Sequence, residues 1–282
     1  MPPTQRHRWL TLPDSREQRR NQELHRLVLD TARSDFEQRH PHARFGPVLA
    51  LIAAYEEELN IGDVLKGMPT LIGDLEVSTL VVVDGGGDNT AKVAIDAGVF
   101  TCVLPVNLGQ GAALRLGYEL AAGHGARFVV TLDADGQNDP SEMPTMLEPL
   151  LDGTADFVIA SRRLGVDQTT DRFRQAGVQL YAWILNAIVS LRLSDSSNGY
   201  RAFRTELLDD ILPHLVQDQY QTAEVVITAA SRGWRITQQP TVWRPRASGP
   251  SKKGGNLFFG LQYGRVILTT WYRVTVGNRR RW

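Results

Sequence analysis

Phe128-Val129-Val130-Thr131-Leu132-Asp133-Ala134-Asp135-Gly136-Gln137 is a short apolar run that stops at two carboxylates, a glycine and a side-chain amide. An apolar run of this length, closed by a turn residue, suits a strand covered on both faces. Two aspartates one residue apart at a strand's end can converge on one hard cation, because the turn breaks the alternation of faces. An ion held by one or two protein carboxylates keeps open positions, which phosphate oxygens can fill. The same residues also suit an acidic surface turn, so the rest of the chain has to decide.

Upstream and downstream of this stretch, strand and helix patterns alternate from Pro47 onward. Apolar strands are predicted at 48–54, 79–83, 100–104, 128–132 and 157–160, and helices at 59–71, from about 88, through 120, and at 140–151. Helices at 176–193 and 220–231, a strand at 234–243 and a loop at 244–255 follow, before a last helix at 257–276. This pattern predicts an α/β fold with a mixed, mainly parallel sheet and helices on both faces. Ligands of such sheets bind beyond the carboxyl ends of the strands, where Glu57, Asp84, Asp133 and Asp135 all fall.

The 282 residues leave room for one domain of about 200 residues with extensions at both ends. Residues 1–45 read as a polar arm with four histidines (His7, His25, His40, His42) whose spacing fits no compact metal site. Within it, 23–36 has a helical face of Leu24, Leu27, Val28 and Thr31. Residues 46–255 form the expected domain, and 256–282 a basic amphipathic helix. The lone Cys102 excludes an internal disulfide and reads as a small core residue. With no apolar secretory segment at its start, the chain is expected in the cytoplasm.

Net charge is zero, yet every one of the 31 acids lies at or before Glu224. Residues 1–224 therefore carry −11 and residues 225–282 carry +11, with no acid at all. Such asymmetry points to an anionic partner: phosphate, an anionic membrane or nucleic acid. In the last helix Gln262, Arg265, Thr269 and Arg273 make a polar stripe beside Trp271 and Tyr272. That suits either an interfacial helix or one docked on the protein's own core.

Seven motifs fall in an order that carries a resemblance. They are Ala53-Ala54-Tyr55-Glu56-Glu57, Val83-Asp84-Gly85-Gly86-Gly87-Asp88-Asn89-Thr90, Asn107-Leu108-Gly109-Gln110-Gly111-Ala112-Ala113, and Asp133-Ala134-Asp135-Gly136-Gln137-Asn138-Asp139-Pro140. Ser161-Arg162, Asp195 with Gly199-Tyr200-Arg201, and Arg246 with Gly249 and Ser251-Lys252 complete the set. From Pro47 to about Lys252 the chain resembles the inverting family 2 glycosyltransferases of GT-A fold, a Rossmann-like nucleotide-diphospho-sugar fold. Among these it is most similar to the dolichyl- and polyprenyl-phosphate sugar synthases. Ala53, Val83 and Gly86 depart from the family's Pro, Asp and Ser at positions that serve the nucleoside.

The resemblance implies a nucleotide-sugar donor, GDP- or UDP-linked, and a lipid-phosphate acceptor. It implies nucleotide binding by Tyr55, Glu57, Asp84, Gly109, Asp133 and Ala134, and Mg²⁺ or Mn²⁺ held by Asp133, Asp135 and Gln137. Arg201, Ser251 and Lys252 would take the acceptor phosphate; Asp135, Arg162, Arg246, Glu224 and Asp195 would be catalytic. A phosphate monoester is already ionised near pH 7 and needs no general base. A hydroxyl acceptor would need one, for which Glu224 and Asp195 are the candidates. The expected site of action is the cytoplasmic face of a membrane, reached through an anionic surface or a membrane-anchored partner, with a homo-oligomer also open. Gly109-x-Gly111 lacks the third glycine and the acid of a dinucleotide fingerprint, which argues against a dehydrogenase. A noncatalytic nucleic-acid binder would leave the aspartate pair unexplained, so no nucleic acid is expected.

Overall fold

A computed structural model describes residues 15–169, 172–189, 191–249 and 256–275. His7, Ser251 and Lys252, with the roles expected of them, lie outside the described residues. The chain runs α1 (Ser15–Arg39), β1 (Val48–Ala54), α2 (Ile61–Lys66), β2 (Leu71–Ile72), β3 (Leu75–Val83), α3 (Thr90–Asp96), β4 (Phe100–Val103) and α4 (Gln110–Gly123). Then follow β5 (Phe128–Asp133), α5 (Met143–Leu151), β6 (Phe157–Asp167), α6 (Arg172–Val189), β7 (Arg201–Arg204), α7 (Leu207–Ile211), α8 (Gln221–Ser231), β8 (Ile236–Trp243) and α9 (Asn256–Thr275).

One mixed sheet runs β2-β3-β1-β5-β7-β6-β8, with β4 beside β3. β1 is parallel to β3 and β5, and β6 to β8, while β7 lies antiparallel between β5 and β6. Along β1, Leu49 and Leu51 join an apolar layer with Leu116 and Phe203, and Val48, Ala50 and Ile52 join another with Val64, Met146 and Leu147. Two buried faces are the reason the strands read as unbroken apolar runs. The register sets Ala54 against Val83 and Ala53 against Asp133, so 55–57, 84–87 and 134–137 leave the sheet along one edge.

Three elements differ from the sequence-based expectation. The helix expected at 59–71 ends at Lys66, where Gly67 caps it and Pro69 follows; Leu71 and Ile72 then pair with β3. β6 continues to Asp167 because its outer part pairs with β8, Val166 against Val242, although residues 163–166 are solvent-exposed. The N-terminal arm is not a free appendage. α1 buries Ala32 and Phe36, Phe36 rests against Phe45 and Phe100, and the His40 ring packs on Phe36, where burial lowers its pKa.

One face of the last helix is docked on the protein's own core. Tyr263, Val266, Ile267 and Thr270 of α9 are buried against α6 and α8, and Tyr181 meets Tyr263 edge-on. Leu268 and Tyr272 face outward, as do Leu180 and Trp183 of α6, the tryptophan 69% exposed. Among the described residues no helix is long and apolar enough to cross a membrane.

Candidate active site

The edge gathers Glu57, Asp135 and Arg246, which are far apart in sequence. Nη2 of Arg246 lies 2.6 Å from both carboxylate oxygens of Glu57, and Nη1 lies 3.4 Å from Oδ2 of Asp135. The Asn60 side-chain amide donates to Glu57 at 2.8 Å and to the Ser248 carbonyl at 3.1 Å. Segment 244–248 is thereby laid along the turn after β5. The Arg244 amide donates to the Gln137 carbonyl at 3.0 Å, and the Gln137 side chain donates back to the Arg244 carbonyl at 3.1 Å. The Ala247 amide donates to the Asp135 carbonyl, and the Arg244 guanidinium pairs with Asp139. A loop rich in Gly, Pro and Ser has few contacts of its own, so these bonds are what position Arg246.

Asp133 is fixed from three sides. The Gln110 side chain donates to its Oδ1 at 3.1 Å, its main-chain amide faces Asn138, and Gly199 approaches closely. A Cβ at Gly199 would come within 2.9 Å of Oδ1, so only glycine lets this carboxylate lie where it does. Asp135 accepts from the Gln137 amide at 3.1 Å, the turn that bends the chain away from the strand. The Ala134 methyl packs into the apolar layer, leaving its main chain at the edge. Sequence reading singled out neither Gln110 nor Asn60: the first is a variable position within a motif, and nothing local marks the second.

Tyr55 is partly exposed at the end of β1, and the neighbouring Glu56 carboxylate raises the pKa of its phenol. Asp84, expected to bind nucleotide, holds two main-chain amides in this structure. Its two oxygens accept from the Leu108 and Gly109 amides, both at 2.8 Å. Burial raises its pKa, and these two hydrogen bonds counter part of the rise. Gly109, at φ +106°, adopts a conformation closed to other residues, and a Cβ there would strike the Asp218 carbonyl at 2.4 Å. Asp84 thus fastens the 107–109 loop under the edge.

Four other expected site residues are held by protein partners, each for a visible reason. Arg162 and Asp195 are consumed by one another: Nε donates to Oδ2 at 2.6 Å in a buried pair, and the guanidinium lies 4.3 Å over the Trp243 ring. Arg201 is buried and donates to the Asn198, Thr222 and Ser196 carbonyls, so it organises the 196–199 loop. Burial lowers its pKa. Glu224 is fully enclosed, accepts from the Val216 and Gln217 amides, and pairs with Arg273 of α9. Both oxygens of Glu224, and both of Asp195, are thus held by protein donors. Gln137 gives its side-chain nitrogen to the Arg244 carbonyl, and an ion would be met by its amide oxygen.

Among the described residues no three His, Cys, Asp or Glu side chains cluster around a single point. A metal ion would thus have the Asp133–Asp135 pair from the protein, with other positions left for phosphate and water. The site fits such an ion, because a cation already stands there: the Arg246 guanidinium beside Asp135. Hard carboxylate oxygens favour Mg²⁺ or Mn²⁺.

The model of glycosyl transferase family 2 matches residues 50–212. The chain is 31% identical over 228 residues to undecaprenyl-phosphate mannosyltransferase of Micrococcus luteus, covering 74% of this chain and 88% of that one. It is 30% identical over 204 residues to dolichyl-phosphate hexose transferase of Haloferax volcanii, covering 72% and 85%. In fold it is similar to glucosyl-3-phosphoglycerate synthase of Mycobacterium tuberculosis, solved with Mn²⁺ and UDP-glucose. That match has a TM-score of 0.62 at 20% identity and covers 84% and 83% of the two chains. A carboxylate edge on a GT-A sheet, seven ordered motifs and a family match over more than half its length make this chain a glycosyltransferase of family 2.

Proposed function

We propose that this enzyme moves a glycosyl group, with inversion, from a GDP- or UDP-linked donor to a polyprenyl or dolichyl phosphate. The observation that carries the proposal is the Glu57–Arg246–Asp135 bridge, which brings a cation from the acid-free segment onto the carboxylate edge. The relatives at 30–31% identity are named for polyprenyl-type phosphate acceptors, which supports the acceptor class. In the proposed reaction a phosphate oxygen of the acceptor attacks the anomeric carbon. The bond to the donor's diphosphate oxygen breaks, and its electron pair leaves with the nucleoside diphosphate.

Asp133 and Asp135 would hold Mg²⁺ or Mn²⁺, which when bound supplies Lewis-acid neutralisation of the leaving diphosphate. Glu57 can accept from ribose hydroxyls, and Tyr55 offers a ring face beside the Gly86 backbone. Arg246 can exchange its carboxylate partners for phosphate oxygens, which it would grip through two parallel hydrogen bonds. An ionised acceptor phosphate makes the burial of Glu224 and Asp195 no obstacle, because no base is required of either. The outward apolar residues of α6 and α9 belong to the same reading, docking the enzyme peripherally at the cytoplasmic face of an anionic membrane.

The test is transfer of labelled sugar from UDP-glucose and GDP-mannose, with Mn²⁺, to undecaprenyl phosphate and to undecaprenol. Label is expected in the lipid phase with the phosphate only. Equal labelling of undecaprenol would show that a hydroxyl is accepted and would defeat the acceptor assignment.

A further inference from the structure

Below the edge a narrow cleft opens between β5, α4 and α8, with Leu114, Leu132 and Val225 as its apolar walls. Asp133, Gln110, Gly199 and Thr222 stand at its mouth, and Tyr118, Thr131, Arg201 and Gln221 line its buried part. Gln221 is 3% exposed, yet neither its Nε2 nor its Oε1 has a hydrogen-bond partner. A buried amide without partners is costly, and such costs collect at sites built for a ligand. The backbone leading to it is unusual too. Tyr220 sits at φ +59°, a left-handed conformation that a bulky residue adopts only when its surroundings impose it. Those surroundings are visible: Glu224 holds the Val216 and Gln217 amides, and the Asp218 carbonyl accepts from the Gly111 amide.

The chemistry of the cleft restricts what Gln221 can meet. One carboxylate and one guanidinium line it, so a free cation and a free anion each face a like charge. An amide presents one donor side and one acceptor side, and a hydroxyl group answers both. The glycosyl group of a donor is bonded directly to the diphosphate and must therefore lie within one ring's reach of Asp133. We propose that Gln221 is a specificity-determining residue that hydrogen-bonds a hydroxyl of the transferred sugar. The proposal rests on the glycosyl-transfer reading above.

The experiment compares the wild-type chain with Gln221→Leu and Gln221→Met by calorimetry in Mn²⁺ with UDP, GDP, UDP-glucose and GDP-mannose, alongside thermal melts. Both variants are expected to melt at or above the wild-type temperature, because each removes an unpartnered buried amide. The nucleoside diphosphate that binds is expected to keep its affinity, while its sugar nucleotide weakens about tenfold, the worth of one hydrogen bond. Unchanged affinity for the sugar nucleotide relative to its diphosphate would overturn the proposal. So would a lowered melting temperature with both ligands weakened alike, the mark of a purely structural glutamine. If none of the four ligands binds the wild-type chain, the glycosyl-transfer reading falls and this proposal with it.

Discussion

Arg246→Gln separates the internal cation from the carboxylates it bridges. The side chains involved are mostly enclosed: 16% exposed for Arg246, 9% for Glu57 and 13% for Asp135. Breaking a buried pair by removing one partner costs about 3–5 kcal/mol, because the remaining charge stays buried. Here two carboxylates are left facing each other, but the Asn60 amide still donates to Glu57 and the rim is open. The lower end, about 3 kcal/mol, is therefore expected. At about 2–4 °C per kcal/mol for a chain of this size, the melting temperature should fall by roughly 6–12 °C.

A divalent ion should restore most of that loss. In the wild-type chain Mn²⁺ must compete with a guanidinium for Asp135, whereas in the variant that competing cation is gone. A ligand that binds only the folded state stabilises it by about 2.7 kcal/mol at one hundred times its Kd, so tighter binding raises the melt further at equal concentration. The assay is a pair of thermal melts with a Mn²⁺ titration for each protein. Mn²⁺ should shift the variant more than the wild type. If Arg246→Gln melts within a degree or so of wild type, or Mn²⁺ shifts both equally, the bridge is not the counter-ion of this site.

Glu224→Gln should cost about 2–3 kcal/mol in urea denaturation, since an amide nitrogen would confront the Val216 and Gln217 amides, yet leave the pH limbs of donor turnover in place. Loss of a limb in a folded Glu224→Gln protein would reinstate this residue as a base. Burial pushes the Asp139 pKa up, but hydrogen bonds from Ser141 and Arg244 outweigh it and leave a net lowering. A depressed carboxylate contributes stability above its unfolded pKa of about 4, and that contribution is lost as pH falls through the lower folded value. Thermal melts of Asp139→Asn between about pH 5 and 3 should accordingly lack part of the wild-type decline; parallel declines would remove Asp139 from this role. Replacing Trp183 and Tyr272 together by Ser should reduce co-sedimentation with anionic vesicles about tenfold, from the lost apolar burial. Undiminished co-sedimentation would exclude the α6–α9 face.

Much of the sheet was legible because its strands are buried on both faces. Val48–Ala54 and Phe128–Asp133 announce themselves as apolar runs, and the residues that end them fall at the ligand-binding edge by topology alone. The outer half of β6 could not be read this way, since its side chains are exposed and its pairing with β8 depends on a distant strand. The site was legible as a set of residues but not as a set of contacts. Asp135, Glu57 and Arg246 stand together as the motifs imply, whereas Arg162, Arg201 and Glu224 turn out to be buried and satisfied. A motif records that a polar residue is needed, and burial decides whether it meets a ligand or a neighbour. Gln110 and Asn60 act through long-range geometry that no local pattern encodes.

Charge segregation along the chain has a related explanation. Residues 225–282 hold eleven bases and no acid, which in isolation suggests an exposed basic surface. Four of those bases instead pair with carboxylates of the acidic part: Arg235 with Asp156, Arg244 with Asp139, Arg246 with Glu57 and Asp135, and Arg273 with Glu224. The two halves are electrostatic complements, and folding joins them. This pairing commits four of the eleven bases to carboxylates rather than to a polyanion. It strengthens the case for phosphate at the edge, because a guanidinium poised between two carboxylates can transfer to a diphosphate without leaving an unpaired charge once a metal ion takes its place. Under the proposed glycosyl transfer the bridge would be a resting state of the site, and donor binding an exchange of ionic partners within it.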